Sequence, residues 1–207
     1  MKKLALITLL VAATATSAFA GEGYFVASVG QSDADISKSS IDQALSSAGV
    51  TGISSTLSKT DTAYKLQLGY QFNKNFALEG GYVDLGKANY STTFTGGSAK
   101  AEAKSAGINI AAVGILPVNE SFSVFGKLGV IYAKVDVAAS ATGTTSTAFT
   151  SANSTDFKPN VGVGASYQIN KDVGVRAEYE RFGKIGKSSV TGEADVDLFS
   201  AGVVVKF

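Results

Sequence analysis
From residue 21 onward, apolar residues recur at every second position over long stretches, and no run reaches the roughly 18 consecutive apolar residues that mark a membrane helix. Period two is the mark of a β-strand, whose successive side chains point to opposite faces. Tyr64, Leu66, Leu68, Tyr70 and Phe72 alternate with Lys65, Gln67, Gly69 and Gln71. Phe157, Val161, Val163, Ala165 and Tyr167 alternate in the same way with Lys158, Asn160, Ser166 and Gln168. The pattern predicts eight strands, at 23–32, 61–72, 76–86, 104–116, 122–137, 156–169, 173–182 and 196–207. Alternation is weaker in the first, fourth and eighth, where Val113, Ile115, Leu198 and Val204 fall on the otherwise polar face.

A soluble sandwich would alternate too, so three further features decide the class. Connections alternate in length. Asn73 to Asn75, Pro117 to Ser121 and Asn170 to Asp172 are short and polar, whereas 33–60, 87–103, 138–155 and 183–195 are long. Short turns on one side and long loops on the other are the habit of bacterial outer-membrane barrels. Aromatics on the apolar faces fall at the two strand ends. Phe72, Phe76, Phe122, Tyr167 and Phe207 lie beside the short turns or the C-terminus, and Tyr64, Tyr82, Tyr132, Phe157, Tyr179 and Phe199 lie at the far ends. Two aromatic girdles around an aliphatic band are expected of a lipid-facing surface. Finally, the chain stops on Phe207, preceded at alternate positions by Val205 and Val203.

Lipid offers no partner to a backbone N–H or C=O, so a sheet in a bilayer must close on itself. The expected fold is all-β, an eight-stranded antiparallel up-and-down transmembrane barrel. An even strand count puts both termini on one side, the periplasmic one. Side chains roughly fill a barrel of eight strands. The inward positions include Lys65, Gln67, Glu79, Asn109, Lys127, Asn160, Arg176, Glu178 and Glu180, so the expected interior is polar, ion-paired and wet. An inward residue such as Ile131 should then tolerate a charge better than the outward Leu128.

Residues 1–20 read as a secretory signal peptide. Lys2 and Lys3 precede an apolar stretch from Leu4 to Ala13, and Ala18-Phe19-Ala20 ends in the small residues of a cleavage site. Residues 21–207 form the barrel domain. Composition narrows function further. The chain has no His and no Cys, which removes Ser-His and Cys-His catalysis, disulfides and thiolate metal sites. No cofactor is expected. A net charge of +1 leaves no electrostatic footprint for nucleic acid.

Several local motifs then resemble one family. They are Gly69-Tyr70-Gln71-Phe72-Asn73, Glu79-Gly80-Gly81-Tyr82 with Leu85-Gly86, Lys127-Leu128-Gly129, Arg176-Ala177-Glu178-Tyr179 with Ile185-Gly186, and the Phe207 ending. Their order resembles the eight-stranded transmembrane domain of the outer-membrane protein A family and its small surface-antigen relatives. The resemblance implies an interacting inward Glu and Arg, here Glu79 and Arg176, with Lys127 and Glu178 nearby. It implies that a further inward Lys of the family is replaced by Val113. It also implies that Phe207, Val205 and Val203 form the signal read by the barrel-assembly machinery. The peptidoglycan-binding domain of long members is not expected in this chain.

The functional expectation is a structural and surface barrel of the bacterial outer membrane that supports envelope integrity, with at most weak porin-like passage of small ions. The alternative is an adhesin or recognition protein that meets a host or phage ligand through its outer loops. Barrel lipases, palmitoyltransferases, deacylases and proteases use a catalytic His, so no enzyme is expected. Expected partners are outer-membrane lipid and lipopolysaccharide, the latter through Lys87, Lys100, Lys104, Lys184 and Lys187 near the outer rim. Asp33 with Asp35, and Asp195 with Asp197, could touch a divalent cation. Ile41, Ala44 and Leu45 hint at a short helix near 41–48.

Overall fold
The computed structural model describes residues 21–143 and 147–207, so the signal peptide read at 1–20 lies outside the described residues. The elements are β1 (Glu22–Ala34), α1 (Lys38–Ser47), β2 (Ser54–Ser58), β3 (Thr60–Asn73), β4 (Phe76–Phe94), β5 (Gly97–Pro117), β6 (Phe122–Gly143), β7 (Thr147–Gln168), β8 (Val173–Lys187) and β9 (Gly192–Lys206). Every pairing is antiparallel. The order β4-β3-β1-β9-β8-β7-β6-β5 returns to β4 through a β4–β5 ladder, so the sheet closes into an eight-membered ring. The remaining strand, β2, continues β3 past Lys59 and pairs with the outer half of β4.

All three short turns use one device. The side-chain oxygens of Asn73, Asn119 and Asn170 each accept two backbone N–H groups from the residues two and three ahead, at 2.7–3.0 Å. Asn closes such turns because its short amide mimics a backbone carbonyl. The first and last ring strands meet at the same end, where the Phe207 N–H donates to the Gly23 carbonyl at 2.9 Å.

At the other end the strands run well beyond the sequence-based limits. Positions 87–103 are not an open loop, since β4 and β5 pair down to Phe94 and Gly97. Likewise β6 and β7 pair out to Thr142 and Thr147. These ribbons are rich in Ala, Ser and Thr, and most of their residues are exposed or only half-buried. The apolar period that marks a lipid-facing strand is lost, while the backbone ladder continues. The ring gives way to ribbons at two bulges. At one of them Gly86 adopts φ +74 and the Asp61 carboxylate accepts the Lys87 N–H at 2.8 Å. A residue with a side chain would be strained at that φ.

Between β1 and β2 the chain forms α1, close to the expected 41–48, capped by the Ser37 hydroxyl. Asp42 pins this helix to the ribbon. Its carboxylate accepts Ser55 Oγ at 2.6 Å, Tyr90 Oη at 2.6 Å and Lys38 Nζ at 3.0 Å. Those hydrogen bonds, Ser55 first, hold the Asp42 carboxyl down to about 2.

The expected parity holds through the barrel, and the expected polar, ion-paired interior is found at mid-height, between apolar layers. Inside, the side chains stack in three layers. Nearest the termini is an apolar cluster of Tyr24, Val26, Ala77, Val113, Phe125 and Val204. A charged layer follows. Above it lies a second apolar cluster that includes Val83, Ile131, Val135, Phe182, Ile185 and Leu198. Val113, Leu198 and Val204, the misfits of the alternation, therefore point inward into apolar company. Ile131 is 0% exposed there, which overturns the expectation that it tolerates charge. Branched side chains fill much of both ends, while the amides of Gln67, Asn109 and Asn160 are buried between them.

Candidate functional site
The middle layer is built by inward residues of four ring strands. Lys65 comes from β3, Glu79 from β4, Lys127 from β6, and Arg176, Glu178 and Glu180 from β8. Each is nearly or fully buried. Arg176 Nη1 lies 2.6 Å from Glu79 Oε1, and Lys127 Nζ lies 2.6 Å from Glu79 Oε2. Lys127 also reaches Glu178 Oε2 at 2.6 Å and Glu180 at 3.9 Å. Lys65 bridges Glu178 and Glu180. Three cations thus face three carboxylates, and the layer is neutral as a unit. Its neutrality matters, because a lone buried ion would cost several kcal/mol.

Below it, Tyr24 Oη donates to Glu79 Oε1 at 2.7 Å, and the Arg176 guanidinium stacks over the Phe125 ring at 4.4 Å. Glycine makes this packing possible. The Tyr24 ring lies against the Gly69 backbone, in the place a Cβ would occupy.

Glu79, Lys127, Arg176 and Glu178, the four residues picked from the sequence, share this one network. Lys65, Glu180 and Tyr24 belong to it as well. Parity marked Lys65 and Glu180 as inward, but parity carries no information on height along the axis, so their membership was not visible. Glu178 and Glu180, at i and i+2 on β8, were the available hint.

The arrangement bears on ion passage. A gate that exchanges partners needs Glu79 to choose between Arg176 and Lys127. Here it holds both at once, one on each oxygen.

On the outer face, Tyr64, Phe72, Phe76, Tyr82, Tyr132, Phe157, Tyr167, Tyr179, Phe199 and Phe207 are exposed, and Phe122 is half-buried. Phe122 stands opposite Tyr167, Tyr179 opposite Phe199, and Tyr132 opposite Phe157 with ring centroids 4.8 Å apart. Exposed aliphatics such as Leu66, Leu68, Ile108, Ile110, Leu128, Val130, Val161, Val163 and Val203 fill the band between the aromatics. Soluble monomers rarely leave so continuous an apolar surface uncovered.

Ion pairs occupy most of the rim. Lys87 pairs with Glu102, Lys104 with Asp84, and Lys184 with Glu193. Asp33 pairs with Lys59, while Asp195 and Asp197 share Arg181. Among the described residues no group of three or more acidic, His or Cys side chains could hold a metal.

A family model for the OmpA-like transmembrane domain matches residues 20–207. The chain belongs to that family. It is 32% identical over 140 residues to outer membrane protein A of Yersinia pseudotuberculosis serotype I (strain IP32953), an overlap of 67% of this chain and 38% of the relative. The Salmonella typhi protein of the same name is 29% identical over the same share of each. The chain thus spans well under half the length of the curated relatives it matches. Neisserial surface protein A superposes with a TM-score of 0.51 over 89% of this chain and 97% of its own, at 18% identity, a likeness of fold. OmpA-like membership and the closed lipid-facing ring together place the protein in an outer membrane.

Proposed function
We propose that this OmpA-like barrel is a sealed structural and surface protein of the outer membrane, with its termini and short turns in the periplasm and its ribbons outside. The carrying observation is the three-layer interior. Ions would have to cross two apolar layers and a neutral charge network whose partners are all engaged. Catalysis has no place in this reading, because the buried carboxylates are ion-paired and out of reach of a substrate. Planar-bilayer recording tests it. The wild-type barrel should carry no steady current, and Glu79→Gln should lower thermal stability without opening one. A reproducible small conductance in the wild type, changed by Glu79→Gln, would make the layer a gate instead.

Lipid contacts the exposed aliphatic band, and lipopolysaccharide phosphate meets Lys100 and Lys187, whose ammonium groups stand exposed at the rim beside the already paired Lys87, Lys104 and Lys184. Phe207, with Val205 and Val203, serves as the signal to the barrel-assembly machinery. Deleting Phe207 should abolish insertion in cells while refolding in detergent stays near normal. Equal failure in both settings would reduce Phe207 to packing.

One observation favours recognition of a host or phage ligand as a second role. The β6 strand has 22 residues, about 70 Å at ~3.3 Å each, against an apolar band of about 25 Å. Much of the β6–β7 ribbon therefore stands clear of the bilayer, with Phe149 81% exposed near its tip. A barrel with this ribbon cut back to Ala138 and Ser151 should restore envelope integrity to a deletion strain if the structural role dominates. Restored integrity with lost cell or phage binding would establish the second role, and a binding level unchanged by the cut would remove it.

A further inference from the structure
A cavity lies above the upper apolar cluster, at the end of the barrel opposite the termini. Leu85, Val135, Ile185 and Val196 floor this cavity of about 360 Å³, and Ile41 of α1 and Leu57 of β2 line it too. That volume is near the lower end of the ~300–1,000 Å³ of small-molecule sites. We propose that this cup binds one small uncharged apolar molecule, a compact hydrocarbon of one or two rings.

Three observations select that chemistry. The charges at the mouth are already matched, since Lys59 holds Asp33 at 2.9 Å, Lys87 holds Glu102 at 2.9 Å and Lys184 faces Glu193 at 3.6 Å. A charged ligand would have to break such a pair to make its own. Three polar side chains of the wall are engaged as well. Ser32 Oγ donates to the Leu85 carbonyl at 2.6 Å, Thr191 Oγ1 meets Ser154 Oγ at 2.7 Å, and Tyr90 Oη donates to Asp42 at 2.6 Å. Recognition is left to apolar contact, and water in an apolar concavity gains by being displaced. Lastly, Phe182 and Ile131 close the floor beneath, so the site holds a ligand and does not conduct it. The Asp42 clasp on Ser55 and Tyr90 keeps α1, and with it Ile41, against the cup. That the cup faces the cell exterior rests on the orientation proposed above; the binding itself does not.

Methyl NMR of the full barrel in lipid nanodiscs, titrated with naphthalene, tests this. Methyls of Ile41, Leu57, Leu85 and Ile185 should shift saturably. The lipid-facing Ile110 and Leu128 methyls report simple partition into the bilayer. Ala103→Phe, which fills the cup, and Ile41→Gln, on the helix outside the ring, should each weaken the apparent affinity at least about tenfold. If Ala103→Phe does not fold, Ile41→Gln decides alone. Shifts confined to Ile110 and Leu128, or cup shifts that never saturate, or an affinity unchanged in the variants would overturn the proposal. None of these results depends on whether the barrel conducts ions, so this site and the sealed-barrel reading fail separately.

Discussion

Lys127→Met should lower the unfolding free energy of the refolded barrel by about 3–5 kcal/mol, read as a drop in the urea midpoint with little change in slope. Lys127 contacts Glu79 and Glu178 at 2.6 Å and is the cation that joins the Arg176 half of the layer to the Lys65 half. Without it, three buried carboxylates share two cations, and the excess charge has no water to turn to. Met fills a similar volume, so the loss is electrostatic and not a cavity effect. The double variant Lys127→Met with Glu178→Gln restores neutrality and should recover much of the stability. A loss below about 1 kcal/mol, the usual worth of an exposed pair, would mean that water reaches the layer. A double variant no better than the single would mean that Lys127 acts through packing.

The fate of individual residues shows what could be read before the structure. Glu79 and Arg176 were placed on inward faces by strand parity, and the ring brings them within 2.6 Å. The three turns were visible as short polar connections, though the Asn that closes each was not. Parity is strong here because lipid on one side and side-chain packing on the other penalise every residue that slips to the wrong face. Height along the axis has no such local code. It depends on the stagger between strands, so neither the entry of Tyr24 and Lys65 into the Glu79 network nor the gathering of Val83, Ile131, Phe182 and Leu198 into one cluster could be derived from their own segments. Val113 and Leu198 looked like breaks in a polar face, yet each belongs to an apolar layer. The ribbons failed for another reason. Above the bilayer, Ala, Ser and Thr on both faces carry no hydrophobic period, so strand and solvated loop look alike in sequence. Ile41 shows the partial case: a helix was visible, but its place beside the cup came only from the Asp42 clasp.

Leu128→Arg and Ile131→Arg should both prevent insertion, although one faces lipid and the other the interior. Leu128 is 67% exposed on the aliphatic band, where Arg near the bilayer midplane costs about 2–4 kcal/mol. Ile131 is 0% exposed among Val83, Phe182 and Leu198, so its replacement buries a guanidinium with no carboxylate partner in that cluster. The side chain is also longer than the space it enters, which adds about 1–3 kcal/mol of overpacking. The two defects have different signatures. A short-chain detergent deforms around a charge more readily than a bilayer does, so Leu128→Arg should regain folded protein in micelles while failing in vesicles. Ile131→Arg should fail in both, since its environment is the protein itself. Ile131→Val, which keeps the site apolar, should insert normally in either. The folded fraction after refolding in micelles and in vesicles measures all three variants. Normal insertion of Ile131→Arg would mean that solvent fills the upper barrel, and the seal would be lost with it.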